Sequence, residues 1–516
     1  MTENISIEVL NWETIKKYTH EFGIKDDLIQ LPEKIIQFGT GMLLRALVDY
    51  LIDKANKKNC FNGRVVLIKS TGNSIEEFTR QNNLYTVLEK GTFNGKPSEQ
   101  KNIVACISRV LPAQQQWKQI LQCAADPHIE IVVSNTTEAG LVFNEEVLSN
   151  EAPKSFPAKL TAYLYQRYKT FDGEEEKGMV ILPTELVSEN GQLLKQFVSQ
   201  HATNNNLPRE FIDWVNNHNH FCDTLVDRIV PGRSEKDDVI SWNNNIKYTD
   251  HLHTTTEPYL LWAIKGNDTV KQKLSFIEAD NRALVAESIE GFKEQKLRIL
   301  NGSNTTVVAP AYLAGLNTVH ETVTDKLFAA FTQQLIDQEI LPTIIKEYPT
   351  AEAFAKEVMD RFANPFVQYP LLNIALQYSS KMNSRNAASI IRNYKVFNKY
   401  PPLMSIGLAS FFLFYTPARK EDGTWSGIRN DERYLYRDEH ATFLCSTLEG
   451  VDWHDIMLAE RAVSTIINNH KIFSPELASL PGLAKMIAEL CSRLLKEGIR
   501  KTIEKKLKQS NEVRGN

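Results

Sequence analysis

Two patterns of apolar and polar positions divide the chain. In the first half, short β-branched apolar runs alternate with segments of helical periodicity, which is typical of βαβ units around a parallel sheet. Residues 257–264 form a further buried run, and residues 232–245 form a polar loop. The predicted strands span residues 34–39, 64–69, 129–135 and 178–185.

From about residue 291 the apolar positions recur at helical spacing, which predicts a mostly α-helical second half. The joint between the two halves is expected near residues 285–292. A chain of 516 residues is long enough for two or three domains of about 150 residues each. We therefore expect an α/β chain whose second domain is mostly α.

The composition and net charge of the chain indicate which kind of molecule the protein binds. Hydrophobic residues at 42%, charged residues at 24% and a net charge of −4 are typical of a soluble globular protein and argue against a general nucleic-acid or membrane-surface binder. The N-terminus lacks a signal-peptide pattern, and no apolar run approaches the ~18 residues of a membrane span. We therefore expect a cytoplasmic protein that binds a small molecule.

No metal site is predicted. The six cysteines lie far apart without a C-x-x-C pair, which indicates reduced thiols. Two pairs of histidines, each two residues apart, lie in polar loops without a nearby cysteine or carboxylate cluster, so surface loops explain them better than metal ligation. These pairs are His218 with His220 and His251 with His253.

A glycine turn follows the first predicted strand in "IIQFGTGMLLRA". Gly39, Gly41 and Arg45 lie between the strand and a helix, where glycines let the backbone approach a pyrophosphate at the helix N-terminus. Leu44 occupies the third glycine position of G-x-G-x-x-G, so the fingerprint is incomplete. Such turns also occur for tight packing alone, and this motif leaves both interpretations open.

Polar residues follow two further strands. The second strand ends in Lys69, Ser70 and Thr71 without the acid that would bond an adenosine ribose, so NAD and NADP both remain open here. The run "VVSNTTEAG" places Asn135 and Thr136 at the carboxyl end of a strand, where parallel sheets bind ligands. A Ser/Thr turn with a helix cap is the alternative.

Carboxylates appear in two more segments of the first half. "ILPTELVSENG" places Glu185 after a strand, and "FCDTLVDRIVPGR" holds Asp227 and Arg228 in an apolar frame. An apolar frame predicts burial and therefore a paired charge. A buried Asp–Arg pair is more often structural than catalytic.

A polar block interrupts the apolar pattern of "EQKLRILNGSNTTVVAPAYLAG". At about 100° per residue, Lys296, Asn301 and Asn304 fall within a ~140° sector of one helix and can converge on one ligand. The alternative is a surface lysine followed by a helix break at Gly302.

Taken together, these segments resemble the long-chain polyol dehydrogenases of the mannitol dehydrogenase family, and within it the tagaturonate reductases (altronate oxidoreductases). The resemblance covers most of the chain, from about Glu33 to the C-terminal helices. Eight motifs in order carry it: "PEKIIQFGTGMLLRA", "VVSNTTEAG", "ILPTELVSENG", "CDTLVDRIVPG", "TTEPYLLWAI", "KLRILNGSNT", "RFANPF" and "NIALQYSSK".

The resemblance implies a Rossmann-type N-terminal domain at residues 1–288, which holds NAD, and a mostly α-helical C-terminal domain at residues 289–516, which closes over the substrate. The family motif K-x-x-x-x-N-x-x-H supplies the general acid/base lysine. The implied catalytic residues are Lys296, Asn301 and Asn304; the cofactor-binding residues are Gly39, Gly41, Arg45, Asn135 and Thr136; the substrate-binding residues are Glu185, Asp227, Lys381 and Arg385.

The activity implied is NAD-dependent reduction of tagaturonate to altronate in hexuronate catabolism, by a monomer or homodimer. Asn304 stands where the family motif has histidine, and an amide cannot carry a proton at neutral pH. Reduction of fructuronate, oxidation of a polyol such as mannitol, a sugar-acid binder that retains the cofactor but has altered or lost activity, and an epimerase or isomerase therefore stay as alternatives.

Overall fold

The computed structural model describes residues 7–24, 26–136, 140–231, 233, 238–417, 419–421 and 424–512. The chain divides into two compact units. Met1–Lys90 with Pro97–Glu290 form the first unit, and Gly91–Lys96 with Gly291–Asn516 form the second. Among the described residues, no helix is long and apolar enough to cross a membrane.

Short helices and many strands build the first unit. Its described strands are β1 (Glu33–Phe38), β2 (Arg64–Lys69), β3 (Tyr85–Phe93), β4 (Lys96–Val104), β5 (Ile107–Pro112), β6 (Ile131–Ser134), β7 (Val180–Pro183), β8 (His220–Phe221), β9 (Thr224–Asp227), β10 (Val239–Ser241), β11 (Lys247–Thr249), β12 (Thr254–Thr256), β13 (Leu261–Lys265) and β14 (Ala283–Ala286). Its described α-helices are α1 (Trp12–Lys17), α2 (Thr19–Phe22), α3 (Met42–Leu44), α4 (Tyr50–Lys57), α5 (Glu76–Arg80), α6 (Trp117–Cys123), α7 (Phe156–Thr170), α8 (Asn190–Asn204), α9 (Arg209–His218) and α10 (Asp268–Lys273).

The central sheet of the first unit is parallel, with the strand order β5-β2-β1-β6-β7-β8. The chain moves outward from β1 through β2 and β5, and it returns to the other side of β1 as β6. In an open parallel sheet, the crevice beyond the carboxyl ends of two such strands is the usual ligand site. The Rossmann-type fold of the first half is therefore confirmed.

The predicted strands agree with β1, β2, β6 and β7 to within two residues at each end. The polar loop predicted at residues 232–245 is wrong in part, because residues 239–241 pair with β11 as strand β10. Residues 232 and 234–237 lie outside the described part of the chain.

Both faces of the central sheet are apolar, which explains why its strands read as continuous hydrophobic runs. One face packs under α4, and the opposite face packs under α6, α7, α8 and α9. The first face includes Ile35, Val65, Leu67, Ile131 and Val133, and the second includes Ile36, Val66, Ile68, Val132 and Ile181. The successive residues of each strand alternate between the faces with the period of two that pleating requires.

Helices dominate the second unit, as the periodicity predicts. They are α11 (Glu290–Gln295), α12 (Ser303–Leu313), α13 (Val319–Thr324), α14 (Lys326–Gln334), α15 (Leu341–Ile344), α16 (Ala351–Phe362), α17 (Leu371–Ile374), α18 (Tyr378–Lys381), α19 (Ala388–Phe397), α20 (Pro402–Phe414), α21 (Ala441–Leu448), α22 (Ile456–Ile467), α23 (Pro475–Ala478), α24 (Leu483–Glu497) and α25 (Ile499–Glu512). A small antiparallel sheet of β15 (Arg419–Glu421), β16 (Thr424–Arg429) and β17 (Glu432–Leu435) interrupts them.

Three helices of the second unit contain a stretch of π-helix among the described residues; one of these stretches, Leu335–Ile340, joins α14 to α15, and the other two lie in helices that carry predicted site residues. The lysine helix (residues 290–313) runs through α11, a π-helical stretch at Lys296–Gly302, and α12. The arginine helix (residues 378–397) runs through α18, a π-helical stretch at Met382–Ala387, and α19. Such stretches are uncommon inside helices and occur frequently at functional sites.

The apolar helix α20 supports the lysine helix from behind. Every residue of α20 from Leu403 to Phe414 is buried. A Cβ at Gly407 would lie 2.5 Å from Cγ2 of Thr306 and 2.7 Å from its carbonyl oxygen, so the two helices approach as closely as glycine permits. The buried carboxylate of Glu339 accepts the N–H groups of Leu403 and Met404 at 2.7 and 2.8 Å, which caps the start of α20.

We expect Gly407→Ala to destabilise the protein by about 1–3 kcal/mol, because overpacking between two buried helices forces the backbones apart. The measurement is the free energy of unfolding in urea. Ser410→Ala, one turn further along α20, is the matched control, since the buried hydroxyl of Ser410 has no partner among the described residues. Equal stability of Gly407→Ala and wild type would contradict the close approach.

Candidate active site

The glycine turn after β1 is built as the sequence predicts. Gly39 has φ +132°, a conformation that side chains rarely adopt, and a Cβ there would lie 2.9 Å from Cδ1 of Leu44 and 3.2 Å from the carbonyl oxygen of Asn135. Gly41 precedes α3 with φ −65° and ψ 157°, and a Cβ there would meet nothing within 4 Å. Gly39 is therefore required by the fold, whereas Gly41 leaves open space beside the start of a helix.

A cavity of about 950 Å³ opens at the carboxyl ends of β1, β2 and β6. The predicted cofactor residues on its wall are Gly39, Gly41, Asn135 and Thr136, joined by Ser70 and Thr71 after β2. The segment 144–155 and the start of α7 form the rest of the wall. Residues 137–139 of the "VVSNTTEAG" motif lie outside the described residues.

Arg45 lies in the core of the first unit. Its side chain is 8% exposed, its Nη1 donates to the carbonyl of Leu252, and its guanidinium lies 5.5 Å from the ring centroid of Tyr85. Burial lowers its pKa. The pattern that suggested Arg45 as a cofactor ligand also fits this packing, because the residue lies on the inner side of the helix that starts at the turn.

A buried carboxyl lies just beyond Arg45. Asp49 is fully buried and accepts hydrogen bonds from Nε2 of Gln37 at 3.4 Å and from Oη of Tyr85 at 3.2 Å. Burial raises the pKa of Asp49 to about 7, while the two hydrogen bonds oppose the shift. The helix after the glycine turn is thus tied to the sheet by polar contacts that the apolar pattern did not reveal.

Glu185 forms a hydrogen-bonded network with the polar end of β6. Its Oε1 accepts the N–H of Thr136 at 2.8 Å, and its Oε2 accepts the hydroxyl of Ser134 at 3.2 Å. Nδ2 of Asn135 donates to the carbonyl and the hydroxyl oxygen of Thr184, both at 3.0 Å. Burial raises the pKa of Glu185. The carboxylate therefore holds the cavity wall in place, and its predicted role as a substrate ligand stays a prediction.

The charged residues after β9 are buried, as their apolar frame predicts. Arg228 is 6% exposed and its Nη2 donates to Oε1 of Glu89 on β3, while its guanidinium lies 4.8 Å from the ring centroid of Tyr50. Its carboxylate partner is therefore supplied by a strand that is distant in sequence. Asp227 is 6% exposed at the end of β9, and its role as a substrate ligand stays a prediction.

In the second unit, the polar block continues the lysine helix and does not end it. Lys296, Asn301 and Asn304 are all half-buried, and together they form what we call the lysine set. A π-helix bonds each residue to the fifth one along, so Lys296 and Asn301 lie closer to one face than they would in an α-helix. Among the described residues, the side-chain amides of Asn301 and Asn304 have no hydrogen-bond partner. They are therefore available to an oxygen of a ligand.

Lys381 and Arg385, the cation pair, lie one turn apart on the arginine helix. Nζ of Lys381 donates to the carbonyl of Ile374 at 2.9 Å. Burial and the nearby charge of Arg385 lower the pKa of Lys381 to about 8, while Asp438 opposes the shift. Burial also lowers the pKa of Arg385. Two poorly compensated cations on one helix face are suited to bind an anion.

Side-chain hydrogen bonds to backbone carbonyls join the two helices, and the pattern of apolar and polar residues does not reveal them. Nη1 of Arg298 donates to the carbonyls of Ser384 and Arg385 at 3.0 and 2.8 Å. Nδ2 of Asn386 donates to the carbonyl of Gly302 at 3.0 Å. Gly302 could have been recognised as a contact point, since a glycine inside a helical pattern often marks the close approach of another backbone.

Nη1 of Arg385 also donates to Oγ1 of Thr305 at 3.2 Å. This contact links the cation pair to the turn of the lysine helix that follows Asn301 and Asn304. The structure therefore brings together the predicted residues Lys296, Asn301, Asn304 and Arg385 through adjacent, bonded turns of two helices.

We expect Gly41→Ala to fold normally and to bind a dinucleotide about tenfold more weakly, because the added methyl occupies the edge of the cavity. A titration of NADH fluorescence and a thermal melt measure both effects. Gly39→Ala is the contrasting variant, since its φ of +132° and its contact with Leu44 predict a loss of stability. Unchanged affinity in Gly41→Ala would place the dinucleotide elsewhere.

Comparisons with known proteins agree with this architecture. A family model for the mannitol dehydrogenase Rossmann domain matches residues 33–278, and a model for the mannitol dehydrogenase C-terminal domain matches residues 288–495. An altronate oxidoreductase of Halalkalibacterium halodurans is 34% identical over 94% of this chain and 95% of its own. One from Yersinia enterocolitica is 34% identical over 92% of this chain and 96% of its own.

Solved structures share the fold at low sequence identity. A Pseudomonas fluorescens mannitol 2-dehydrogenase, in a ternary complex with NAD and D-mannitol, has a TM-score of 0.65 at 19% identity and covers 97% of this chain and 99% of its own. A substrate-free D-sorbitol dehydrogenase has a TM-score of 0.72 at 18% identity over 96% of this chain and 100% of its own. The chain belongs to the mannitol dehydrogenase family and is an oxidoreductase that acts on CH–OH groups.

Proposed function

We propose that this protein catalyses the NAD-dependent, reversible reduction of the keto sugar acid tagaturonate to altronate. The observation that carries the proposal is the pairing of the lysine set with the cation pair on two bonded helices of the second unit. The lysine set can bind and protonate a carbonyl oxygen, and the cation pair can bind a carboxylate. A keto sugar acid contains both of these groups. The similarity to altronate oxidoreductases over most of the chain supports the same substrate class.

The cavity of the first unit fits a nicotinamide dinucleotide. It is of the size that such ligands occupy, and the wall includes a glycine turn at a helix start, where backbone N–H groups can hold a pyrophosphate. Gly39, Gly41, Asn135 and Thr136 would hold the cofactor there. When bound, NADH supplies the hydride that reduces the ketone. Residues 70–75, directly after β2, contain no carboxylate, so the preference for NAD over NADP rests on the resemblance to the family, one member of which was solved with NAD, and not on this turn.

The lysine set performs the proton transfer in this proposal. Negative charge builds on the carbonyl oxygen as the carbon is reduced, and Nζ of Lys296 donates a proton to that oxygen. The amides of Asn301 and Asn304 donate hydrogen bonds to the same oxygen. In the reverse direction Lys296 takes the proton from the hydroxyl group. All three groups are preorganised on one helix, so little reorganisation is needed at the moment of reaction.

The cation pair binds the carboxylate of the substrate. A guanidinium can make two parallel hydrogen bonds to a carboxylate, and the ammonium of Lys381 adds a second charge one turn away. An uncharged polyol would leave both cations unpaired in a half-buried site, which disfavours a mannitol-type substrate.

The presence of an amide at position 304 supports a second candidate function, in which the protein binds its ligands but has altered or lost activity. An amide can hold an oxygen but cannot exchange a proton with it, so the proton chemistry falls on Lys296 alone. A protein that retains the cofactor and the sugar acid but has altered or lost activity is compatible with this difference. Binding of NADH without turnover of any keto sugar acid would favour that candidate.

A substrate panel tests the main proposal. We expect NADH oxidation with tagaturonate, weaker oxidation with fructuronate, and none with fructose, because the neutral ketose offers the cation pair no carboxylate. Absorbance at the NADH band measures the rates, and NADPH is run in parallel. Turnover of fructose at the rate of tagaturonate would overturn the assignment of a sugar acid.

Within the same panel, we expect Lys296→Met to lose about 10²–10⁴-fold in kcat, since it removes the acid/base but keeps an unbranched side chain only one atom shorter. Lys293→Met on the preceding turn of the lysine helix is the matched control and should retain activity. Circular dichroism and the Kd for NADH verify that both variants fold. Full activity of Lys296→Met is the result that would refute its role.

Asn304→His provides a separate prediction. Histidine adds a titratable group with a pKa near 6.5 at the position where the family motif has one. We expect kcat to rise several-fold and the pH–rate profile to gain a step near that pKa. Asn373→His, at an exposed position of the same unit, controls for the substitution itself. A pH–rate profile identical to wild type would show that residue 304 does not face the reacting oxygen.

A further inference from the structure

The buried phenol of Tyr378 forms hydrogen bonds with two backbone groups of the lysine helix. Oη of Tyr378 donates to the carbonyl of Thr305 at 2.8 Å and accepts the N–H of Ala309 at 3.3 Å. In an uninterrupted α-helix these two backbone groups, four residues apart, would bond to each other. Tyr378 is fully buried, so its hydroxyl is a fixed part of the helix.

Pro310 follows Ala309 directly inside the lysine helix. Proline has no N–H for the carbonyl of Thr306, and its ring crowds that carbonyl, so the hydrogen bonding within this turn of the helix is weakened. A hydroxyl both donates and accepts, which lets Tyr378 bond to a carbonyl and to an N–H of this turn at once. A side chain without this double capacity could bond to only one of them.

Tyr378 is also the first residue of the arginine helix, and the next residue, Ser379, is held by two hydrogen bonds. The N–H and the hydroxyl of Ser379 donate to the two carboxylate oxygens of Asp438, both at 2.7 Å. The ring of Tyr378 packs edge-on against Phe411 and Phe414, with centroid distances of 5.2 and 5.7 Å. The phenol therefore joins a fixed start of one helix to the interior of the other.

We propose that Tyr378 is a positioning residue that sets the rotation of the lysine set relative to the cation pair. This inference rests on the proposed function. The bridging hydroxyl bonds to Thr305, which follows Asn304 directly, and to Ala309 one turn further on. This turn of the lysine helix is thereby fixed against the helix that carries Lys381 and Arg385.

Tyr378→Phe removes the bridging oxygen and keeps the ring. Without the phenol, the lysine helix loses both of these bonds to the start of the arginine helix, and the turn that carries Asn301 and Asn304 can shift. A displacement of about 1 Å in a catalytic group can cost about 100-fold in rate. We expect kcat with the sugar acid to fall about 10- to 100-fold, while the Kd for NADH, which is assigned to the first unit, stays unchanged.

Tyr434→Phe is the matched control. Tyr434 is 4% exposed, belongs to the same unit, and its hydroxyl donates to the carbonyl of Phe414 at 2.9 Å, so its loss also removes one buried bond from a phenol to a backbone carbonyl. We expect its thermal stability to fall by a similar amount with little change in kcat. Equal losses of kcat in both variants, or no loss in Tyr378→Phe, would overturn the inference.

Hydrogen–deuterium exchange of the lysine helix tests the inference without any substrate. An altered exchange rate for residues 297–309 in Tyr378→Phe, but not in Tyr434→Phe, supports it, and an unchanged rate overturns it. If the wild-type protein turns over no keto sugar acid, the proposed function fails and the exchange result alone decides whether Tyr378 sets the geometry of the helix.

Discussion

The interaction on which the candidate site depends is the set of hydrogen bonds between the lysine helix and the arginine helix. Each buried polar group that is left without a hydrogen bond lowers the stability of the folded protein by about 1–3 kcal/mol, and a polar helix packed in the interior has several such groups. Arg298 and Asn386 avoid this cost by donating to backbone carbonyls across the interface. The helix behind, α20, is buried from Leu403 to Phe414 and packs mainly through apolar contacts. Arg298 and Asn386 therefore join the lysine helix to the arginine helix by hydrogen bonds beside the candidate chemistry.

A different constraint organises the first unit. The carboxyl ends of its parallel strands need polar partners once the apolar faces of the sheet are covered. Glu185 supplies two acceptors for the end of β6, and Oδ1 of Asp223 accepts the N–H groups of Gly191 and Gln192 at the start of α8. Glu185 thereby stabilises the cavity wall at Thr136 whether or not a ligand is present. A carboxylate at the edge of a ligand cavity is therefore not by itself a catalytic group.

The residues of the lysine set differ in the chemistry that they can perform. Lys296 is the acid/base in the proposal, whereas Asn301 and Asn304 can only donate and accept hydrogen bonds. The pKa of about 8 for Lys381 shows that a lysine on the neighbouring helix loses part of its preference for the charged form through burial and through Arg385. A bound carboxylate would restore that preference, because an opposite charge favours the protonated ammonium. In the proposed function, binding of a sugar acid and protonation of Lys381 are therefore coupled.

The sequence alone determined the two classes of fold, because a period of two in buried runs and a period near 3.6 in helices are local properties of the chain. It also placed Gly39, Gly41 and Lys296 correctly relative to their elements, since the turn and the helix are contiguous segments. Within the central sheet it missed β5 and β8, because their short runs contain polar residues whose burial depends on neighbouring strands.

Only the tertiary structure decided which distant groups meet. Arg228 forms its ion pair with Glu89 on a distant strand, and Arg45 donates to the carbonyl of Leu252 in the core. The hydroxyl of Tyr378 donates to a backbone carbonyl of a helix about seventy residues earlier in the chain. The physical reason is that hydrogen bonds and ion pairs between elements depend on how those elements pack, and packing is set by the whole core. Local periodicity can place a residue on a face, but it does not name the partner opposite that face.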